Sequence, residues 1–173
     1  MKTLVVYYSM SGNNRLLAED LAQRTGGELC PITESKRRTM LTILLDRFLG
    51  RWPKISTPPC DLCGYDRTIL VAPVWIGKVA SPLRSFLKQQ QPGVYGFISI
   101  CGVAQPDQDL NVSRELAALC RHAPAVLTEL KIGSLLPPDQ QENGEMIMKY
   151  RFKREDLERF APAIESFLAK LQE

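Results

Sequence analysis

The sequence has only one histidine, His122, and its five cysteines have irregular spacing. Catalysis by a Ser–His–Asp or Cys–His arrangement would depend on that histidine, which lies in a predicted helix. A structural zinc site needs four ligands, and the CxxC pair at 60–63 has no second Cys or His pair to complete it. The sequence therefore gives little support to histidine-based hydrolysis or to a metal centre.

Long hydrophobic runs and a strong net charge are also absent. No stretch approaches the ~18 apolar residues of a membrane helix. The apolar segment after Met1 is short and lacks a cleavage site, so we expect the first strand of a cytoplasmic domain and not a signal peptide. The net charge of +3 is too small to indicate nucleic-acid binding. The basic residues at 36–38, Arg47 and Arg51 are interpreted as a solvated helix face, the alternative being a membrane or partner surface.

The cysteines are expected to be reduced thiols, because no secretory signal precedes them. The CDLC motif precedes a strand and opens no helix, so it lacks the helix dipole that lowers a thiol pKa in redox motifs. Two free thiols are the favoured interpretation of Cys60 and Cys63, ahead of a redox pair or a metal half-site. Cys30 and Cys120 are predicted core residues.

Apolar strands alternate with amphipathic helices along the 173 residues, which we interpret as one domain, 1–173. Continuous β-branched runs such as TLVVYY are typical of strands buried on both faces. Ser81 is expected to cap the third helix, with Pro82 in its first turn, and Pro162 to bend the last helix. Strands are predicted at 3–8, 28–32, 67–75, 96–102 and 126–135, and helices at 14–24, 40–49, 81–90, 110–122 and 153–171. This order predicts a parallel sheet covered by helices on both faces.

Three loops follow predicted strands, and in an open parallel sheet such loops converge on one crevice. The first, SMSGNN at 9–14, puts hydroxyls, amides and a glycine at a helix N-terminus, where a phosphate is well held. A nucleotide P-loop is excluded by the absence of GK[ST], and no GxGxxG occurs. The neutral donors suit a phosphomonoester, and the alternative is a simple N-capping turn.

The second loop, PVWIGKVAS, puts Trp75 beside Gly77 at the end of a buried strand. An indole in such a crevice is a platform for a planar ring, the alternative being a Trp folded under its own loop. The third loop, CGVAQPD at 101–107, begins with Cys101, for which a neutral lining role is favoured over nucleophilic chemistry.

The segments YYSMSGNNRLLAEDLA, YDRTILVAPVWIGKVASPLRSFL and GFISICG together resemble the flavodoxin-like FMN-binding family across nearly the whole chain. The resemblance implies a three-layer α/β/α fold, a five-stranded parallel sheet of order 2-1-3-4-5 and one FMN. The phosphate would lie in 9–14 and the flavin ring between 73–79 and 101–107. The implied FMN-binding residues are Ser9, Met10, Ser11, Gly12, Asn13, Asn14, Pro73, Val74, Trp75, Ile76, Gly77, Cys101, Gly102, Val103 and Asp107. For Asp107 and Asp109, capping of the helix at 110–122 is the favoured alternative.

Three departures from the family pattern bear on function. The first loop is S-M-S-G-N-N where the family usually has T-x-T-G-x-T, the third loop lacks the aromatic residue that many members stack on the flavin, and the chain is mildly basic. The missing aromatic predicts a ring open on one face, as hydride transfer requires, and the charge argues against a pure carrier that docks on basic partners.

The leading hypothesis is an FMN-dependent oxidoreductase that passes hydride from NAD(P)H to a small acceptor such as a quinone. No side chain need act as acid or base. The alternatives are a one-electron carrier for a redox partner protein and a flavin-less partner-binding module. A homodimer is implied by analogy alone.

Overall fold

The computed structural model describes residues 1–34, 39–50, 52–57, 60–102 and 106–173. Three parts of the sequence-based predictions lie outside the described residues: the basic residues at 36–38, Arg51, and the proposed site residue Val103.

Five parallel strands form the central sheet. In chain order they are β1 (Thr3–Tyr7), β2 (Glu28–Pro31), β3 (Arg67–Val71), β4 (Tyr95–Cys101) and β5 (Val126–Lys131). The strands lie side by side in the order β2-β1-β3-β4-β5, and every neighbouring pair is parallel. This is the predicted order 2-1-3-4-5. The chain reverses direction across the sheet at β1, so a crevice opens between the ends of β1 and β3.

Helices cover both faces of this sheet, as predicted. The helices are α1 (Asn13–Thr25), α2 (Met40–Leu49), α3 (Ser81–Gln89), α4 (Gln108–Cys120), α5 (Gly144–Lys149), α6 (Asp156–Arg159) and α7 (Ala161–Gln172). Because side chains alternate along a strand, Val5 packs with α1 and α7 on one face, whereas Leu4 and Val6 pack with α3 and α4 on the other. Gly96 lets α7 approach β4 closely, since a Cβ there would lie 2.8 Å from the Phe167 ring.

Two predicted strands are shorter in the structure, and each gives way to a different element. The strand expected at 67–75 leaves the sheet after Val71, and Val74–Trp75 instead pairs antiparallel with Lys78–Val79 in a two-residue hairpin. Pro73 lies between the two pieces, where a residue without an N–H cannot continue a ladder. The strand expected at 126–135 ends at Lys131, and a 3₁₀ helix follows at Ile132–Leu135.

The expected cap of α3 was wrong. The carbonyl of Ala80 accepts the N–H of Arg84 at 3.2 Å, so Ala80 is the N-cap and Ser81 is already the first helical residue. The Ser81 hydroxyl donates instead to Oδ2 of Asp46 in α2, at 3.1 Å. The predicted bend of the last helix is confirmed, because α6 and α7 are separated at Phe160, two residues before Pro162.

None of the helices in the described part of the chain is long and apolar enough to cross a bilayer.

Candidate functional site

A cavity of about 540 Å³ lies at the carboxyl ends of β1, β3 and β4. Nine of its lining residues are predicted site residues: Met10, Ser11, Asn13, Asn14, Pro73, Val74, Trp75, Cys101 and Gly102. Five other predicted residues do not line it: Ser9, Gly12, Ile76, Gly77 and Asp107. The structure therefore brings all three loops together at one site, as the topology of a parallel sheet predicts.

The first loop turns into α1 at Gly12, which has a φ of +98°. The Gly12 N–H donates to Oγ of Ser9 at 3.1 Å, so the Ser9 hydroxyl braces the turn. Ser11 is exposed and Asn13 is half-buried, and neither side chain has a hydrogen-bond partner among the described residues. The hydroxyl of Ser11 and the amide of Asn13 are thus the side-chain donors that this loop offers to the cavity.

Asn14 is held differently from its neighbours. Its side chain is 3% exposed, and its Oδ1 accepts the N–H of Ile100 at 2.9 Å. Its Nδ2 donates to the carbonyl oxygen of Ile100 at 3.3 Å. One side chain thereby satisfies both main-chain groups of a buried β4 residue and ties the first loop to the sheet.

The second loop is a hairpin whose two central residues, Ile76 and Gly77, have φ values of 51° and 69°. Positive φ at both positions is typical of a type I′ turn. The half-buried Trp75 ring meets the Tyr8 ring edge-on, with the centroids 5.8 Å apart. The hairpin is anchored on its far strand, where the Val79 N–H donates to Oε2 of Glu115 in α4 at 2.9 Å.

In the third loop, Cys101 is 4% exposed and Gly102 is exposed at the cavity wall. Burial is the main cause that raises the pKa of the Cys101 thiol to about 12, and the charge of Glu129 adds to it. The thiol is therefore neutral near pH 7, in line with the predicted lining role. Asp107 occupies the N-cap position of α4, but its side chain makes no capping hydrogen bond. With Asp109, it lines a separate cavity of about 390 Å³.

The sequence analysis did not predict the other residues that line the cavity, which come mainly from the segment between β5 and α6. They are Ile100, Ile132, Ile147, Tyr150, Arg151 and Phe152. We call Ile132, Ile147 and 150–152 the C-terminal wall, and 10–14 with 73–75 the loop wall. A signal was present in the sequence, since YRF at 150–152 puts a cation between two aromatic residues in a stretch with no assigned element.

Packing and one carboxylate hold the C-terminal wall in place. Phe152 is 8% exposed and stacks on Phe160, with ring centroids 6.3 Å apart. Asp156 accepts the Tyr150 hydroxyl at 2.8 Å on one oxygen and the Lys153 N–H at 2.7 Å on the other. Burial, together with the hydrogen bond to Asp156, raises the pKa of the Tyr150 hydroxyl. The backbone around Arg151 is therefore fixed from both sides.

All five cysteines are free thiols, as predicted. Cys30 and Cys120 are buried, Cys60 is half-buried and Cys63 is exposed. Burial, followed by a hydrogen bond with Cys60, raises the pKa of Cys30 to about 12. Among the residues that the structure describes, no cluster of His, Cys, Asp or Glu side chains is arranged to hold a metal ion.

No protein-family model matches the chain. Several solved structures do. A flavoprotein from Lactobacillus acidophilus, crystallised in complex with FMN, has a TM-score of 0.60 and 23% identity over 74% of this chain and 92% of its own. A putative flavoprotein from Bacteroides uniformis has a TM-score of 0.66 and 17% identity over 86% and 98% of the two chains. A putative flavoprotein from Bacteroides eggerthii has a TM-score of 0.58 and 17% identity over 95% of this chain and 98% of its own.

The chain shares the fold of these flavoproteins. The flavodoxin-like α/β/α architecture predicted from the sequence is thereby confirmed. At 17–23% identity the likeness concerns the fold, so the ligand and the reaction have to be argued from the residues of this chain.

Proposed function

We propose that the protein binds FMN in the cavity at the ends of β1, β3 and β4 and acts as an oxidoreductase. In this proposal, hydride passes from a nicotinamide cofactor through the flavin to a small acceptor such as a quinone. The observation that carries the proposal is the cavity of about 540 Å³, which combines a polar helix N-terminus with a half-buried indole in a fold shared with flavoproteins. Its volume lies within the usual range for cofactor sites.

The residues present fit the two chemically different ends of FMN. At the phosphate end, the Ser11 hydroxyl and the Asn13 amide stand beside the first N–H groups of α1, which suits an anion. At the ring end, Trp75, Pro73 and Val74 give an apolar surface for a planar heterocycle. Four of the predicted residues that do not line the cavity, Ser9, Gly12, Ile76 and Gly77, act in this proposal through the shape of the two turns.

The flavin, when bound, supplies the redox chemistry. The tasks left to the protein are to bind, to orient and to limit water. Cys101, with its raised pKa, offers a neutral and nearly buried thiol at the cavity wall, so it adds no charge beside the ring. Glu115 holds the hairpin that carries Trp75 by accepting the Val79 N–H, which keeps the indole in one position.

The binding half of the proposal is tested by comparing FMN with riboflavin, which lacks the phosphate. Replacing both Ser11 and Asn13 with Ala removes two donors that are each worth about 1.5–3 kcal/mol toward a charged group, so FMN affinity falls by roughly a hundredfold or more. Riboflavin affinity stays about the same. Trp75→Ala, the matched control, weakens both ligands alike because it removes ring contact.

The reaction half is tested by mixing the FMN-loaded protein anaerobically with NADH or NADPH and following flavin absorbance. Reduction by either nucleotide supports the oxidoreductase. If FMN binds but neither nucleotide reduces it at a useful rate, the oxidoreductase proposal is wrong and a carrier for a redox partner protein is favoured. Protein that neither contains nor takes up flavin overturns both, in favour of a partner-binding module.

A further inference from the structure

We propose that Arg151 supplies the positive charge for the phosphate of the bound flavin, which makes this cavity selective for the phosphorylated ligand. This inference rests on the proposed function. The sequence pattern suggested a phosphate held by neutral donors, because SMSGNN contains no Lys or Arg. The fold adds a guanidinium from a segment far along the chain, since Arg151 lines the same cavity as Ser11 and Asn13.

The described residues that line the cavity carry positive charge and no negative charge. Among the lining residues that the structure describes, Arg151 is the one Lys or Arg, and none is Asp or Glu. The N-terminus of α1, in the loop wall of the same cavity, adds a partial positive charge. An anionic group in the cavity would therefore meet a cation and no opposing carboxylate, which favours its binding.

Within the described residues, the neighbouring arginines Arg15 and Arg154 pair with a carboxylate, and Arg151 does not. Nε of Arg15 lies 2.7 Å from Oε1 of Glu19, and Nη2 of Arg154 lies 3.2 Å from Oε2 of the same carboxylate. Arg151 has no carboxylate within ion-pair distance in the described part of the chain, and its Nη1 donates to the carbonyl of Lys149 at 3.4 Å. Its remaining donors are available to a phosphate, which a planar guanidinium can bind through two parallel hydrogen bonds.

The position of Arg151 is built into the fold. Phe152 is anchored on Phe160, and Asp156 accepts hydrogen bonds from Tyr150 and Lys153, one on either side of Arg151 in the chain. The main chain at Arg151 is thus fixed beside the cavity, so binding requires little further ordering of the backbone there.

The test is a titration of the full-length, flavin-free protein with FMN and with riboflavin, for the wild type, R151Q, R151K and R154Q. R151Q is expected to weaken FMN about tenfold or more and riboflavin less than about twofold. R151K, which keeps a point charge without the planar fork, regains part of the FMN affinity. R154Q removes an equal charge three residues away that is paired with Glu19, and it leaves the FMN-to-riboflavin ratio unchanged.

Salt gives a second readout that a structural role would not change. Between about 50 mM and about 500 mM NaCl, the FMN affinity of the wild type falls more steeply than that of R151Q, because screening weakens a charge–charge contact. If R151Q leaves FMN binding unchanged, or weakens FMN and riboflavin equally, the role of Arg151 is wrong while the proposed function stands. A wild type that binds neither flavin overturns both.

Discussion

The loop wall follows the ends of β1 and β3 directly, whereas Tyr150, Arg151 and Phe152 of the C-terminal wall come after α5, well beyond the end of β5. The first wall is placed by local structure: a strand ends, a turn forms at Gly12 or Ile76–Gly77, and the lining residues follow. In the second wall, residues 150–152 are placed by side-chain contacts, namely the Phe152–Phe160 stack and the hydrogen bonds to Asp156.

This difference indicates that the two walls have different roles in ligand binding. Parallel-sheet topology obliges the loop wall to converge at the switch point, so the position of its neutral donors and its indole follows from the fold. Residues 150–152 have no such obligation, and they contribute the one charged side chain among the described lining residues. Selectivity among ligands that share a flavin ring is therefore expected to depend on the C-terminal wall.

The largest expected effect is on the anchor of the C-terminal wall. Phe152→Ala removes a nearly buried ring that stacks on Phe160, and we expect it to lower the free energy of unfolding by about 3–5 kcal/mol. Urea denaturation measures this change. Met146→Ala, in the preceding helix α5, is the control, because Met146 is 39% exposed and does not line the cavity, and its effect stays within about 0.5 kcal/mol. Two variants of equal stability would show that the wall is not anchored by Phe152.

The next effect concerns Asn14, the residue that ties the loop wall to the sheet. Asn14→Ala leaves the buried N–H and carbonyl of Ile100 without their partners, which costs about 2–3 kcal/mol of unfolding free energy. Its neighbour Asn13 is the control, since Asn13→Ala breaks no hydrogen bond among the described residues and changes stability by about 0.5 kcal/mol or less. An Asn14→Ala protein as stable as Asn13→Ala would contradict this account.

These two predictions concern residues whose roles the sequence alone could not predict, although it did predict the elements around them. Periodicity was enough to predict the five strands and the three convergent loops, because buried strands and helix faces have local signatures. The strand order was implied by the resemblance to the flavodoxin-like family, and the structure has that order. Periodicity could not predict that the Asn14 side chain is buried and that the Asn13 side chain faces the cavity. Both are amides at the start of a helix, and only the position of Ile100, 86 residues away, decides which one is buried.

The C-terminal wall could not be predicted from local sequence patterns for a similar reason. The YRF triplet shows no periodicity, and its place depends on Phe152 packing against Phe160, which comes later in the chain, between α6 and α7. The bounds of β3 and β5 were overestimated because apolar residues continue past the last ladder pair, into the hairpin at Val74 and the 3₁₀ helix at Ile132. Apolar character predicts burial in both cases, but not the element that buries the residue.

A smaller effect is expected at the hairpin of the loop wall. Ile76 is a β-branched residue with a φ of 51°, a conformation that costs about 1–2 kcal/mol, and it is 52% exposed. Ile76→Asn gives the Asn-Gly pair that a type I′ turn prefers, so the protein should gain about 1 kcal/mol, measured as a higher urea midpoint. Gly77→Ala is the opposite control, because it puts a side chain at a φ of 69° and should lose about 1 kcal/mol. A less stable Ile76→Asn variant would show that the Ile76 side chain makes contacts that outweigh the strain.

The smallest effect concerns Cys101, which lines the cavity, and it appears only in alkaline solution. The pKa of this thiol is raised from 9.0 to about 12 in the folded protein, chiefly by burial, so folding favours the neutral form. The resulting stabilisation is fully present below pH 9.0, the ordinary pKa of a thiol, and is lost as the pH rises from there toward about 12.

Cys30 and Cys120 act in the same direction, so the measurement is the stability difference between wild type and Cys101→Ala, which removes one titrating group and keeps the others. Between about pH 8 and about pH 9.5, the wild type should lose about 0.8 kcal/mol more than the variant. Equal losses would mean that water reaches the thiol, and the cavity wall at Cys101 would then be open to solvent where the structure shows it nearly buried.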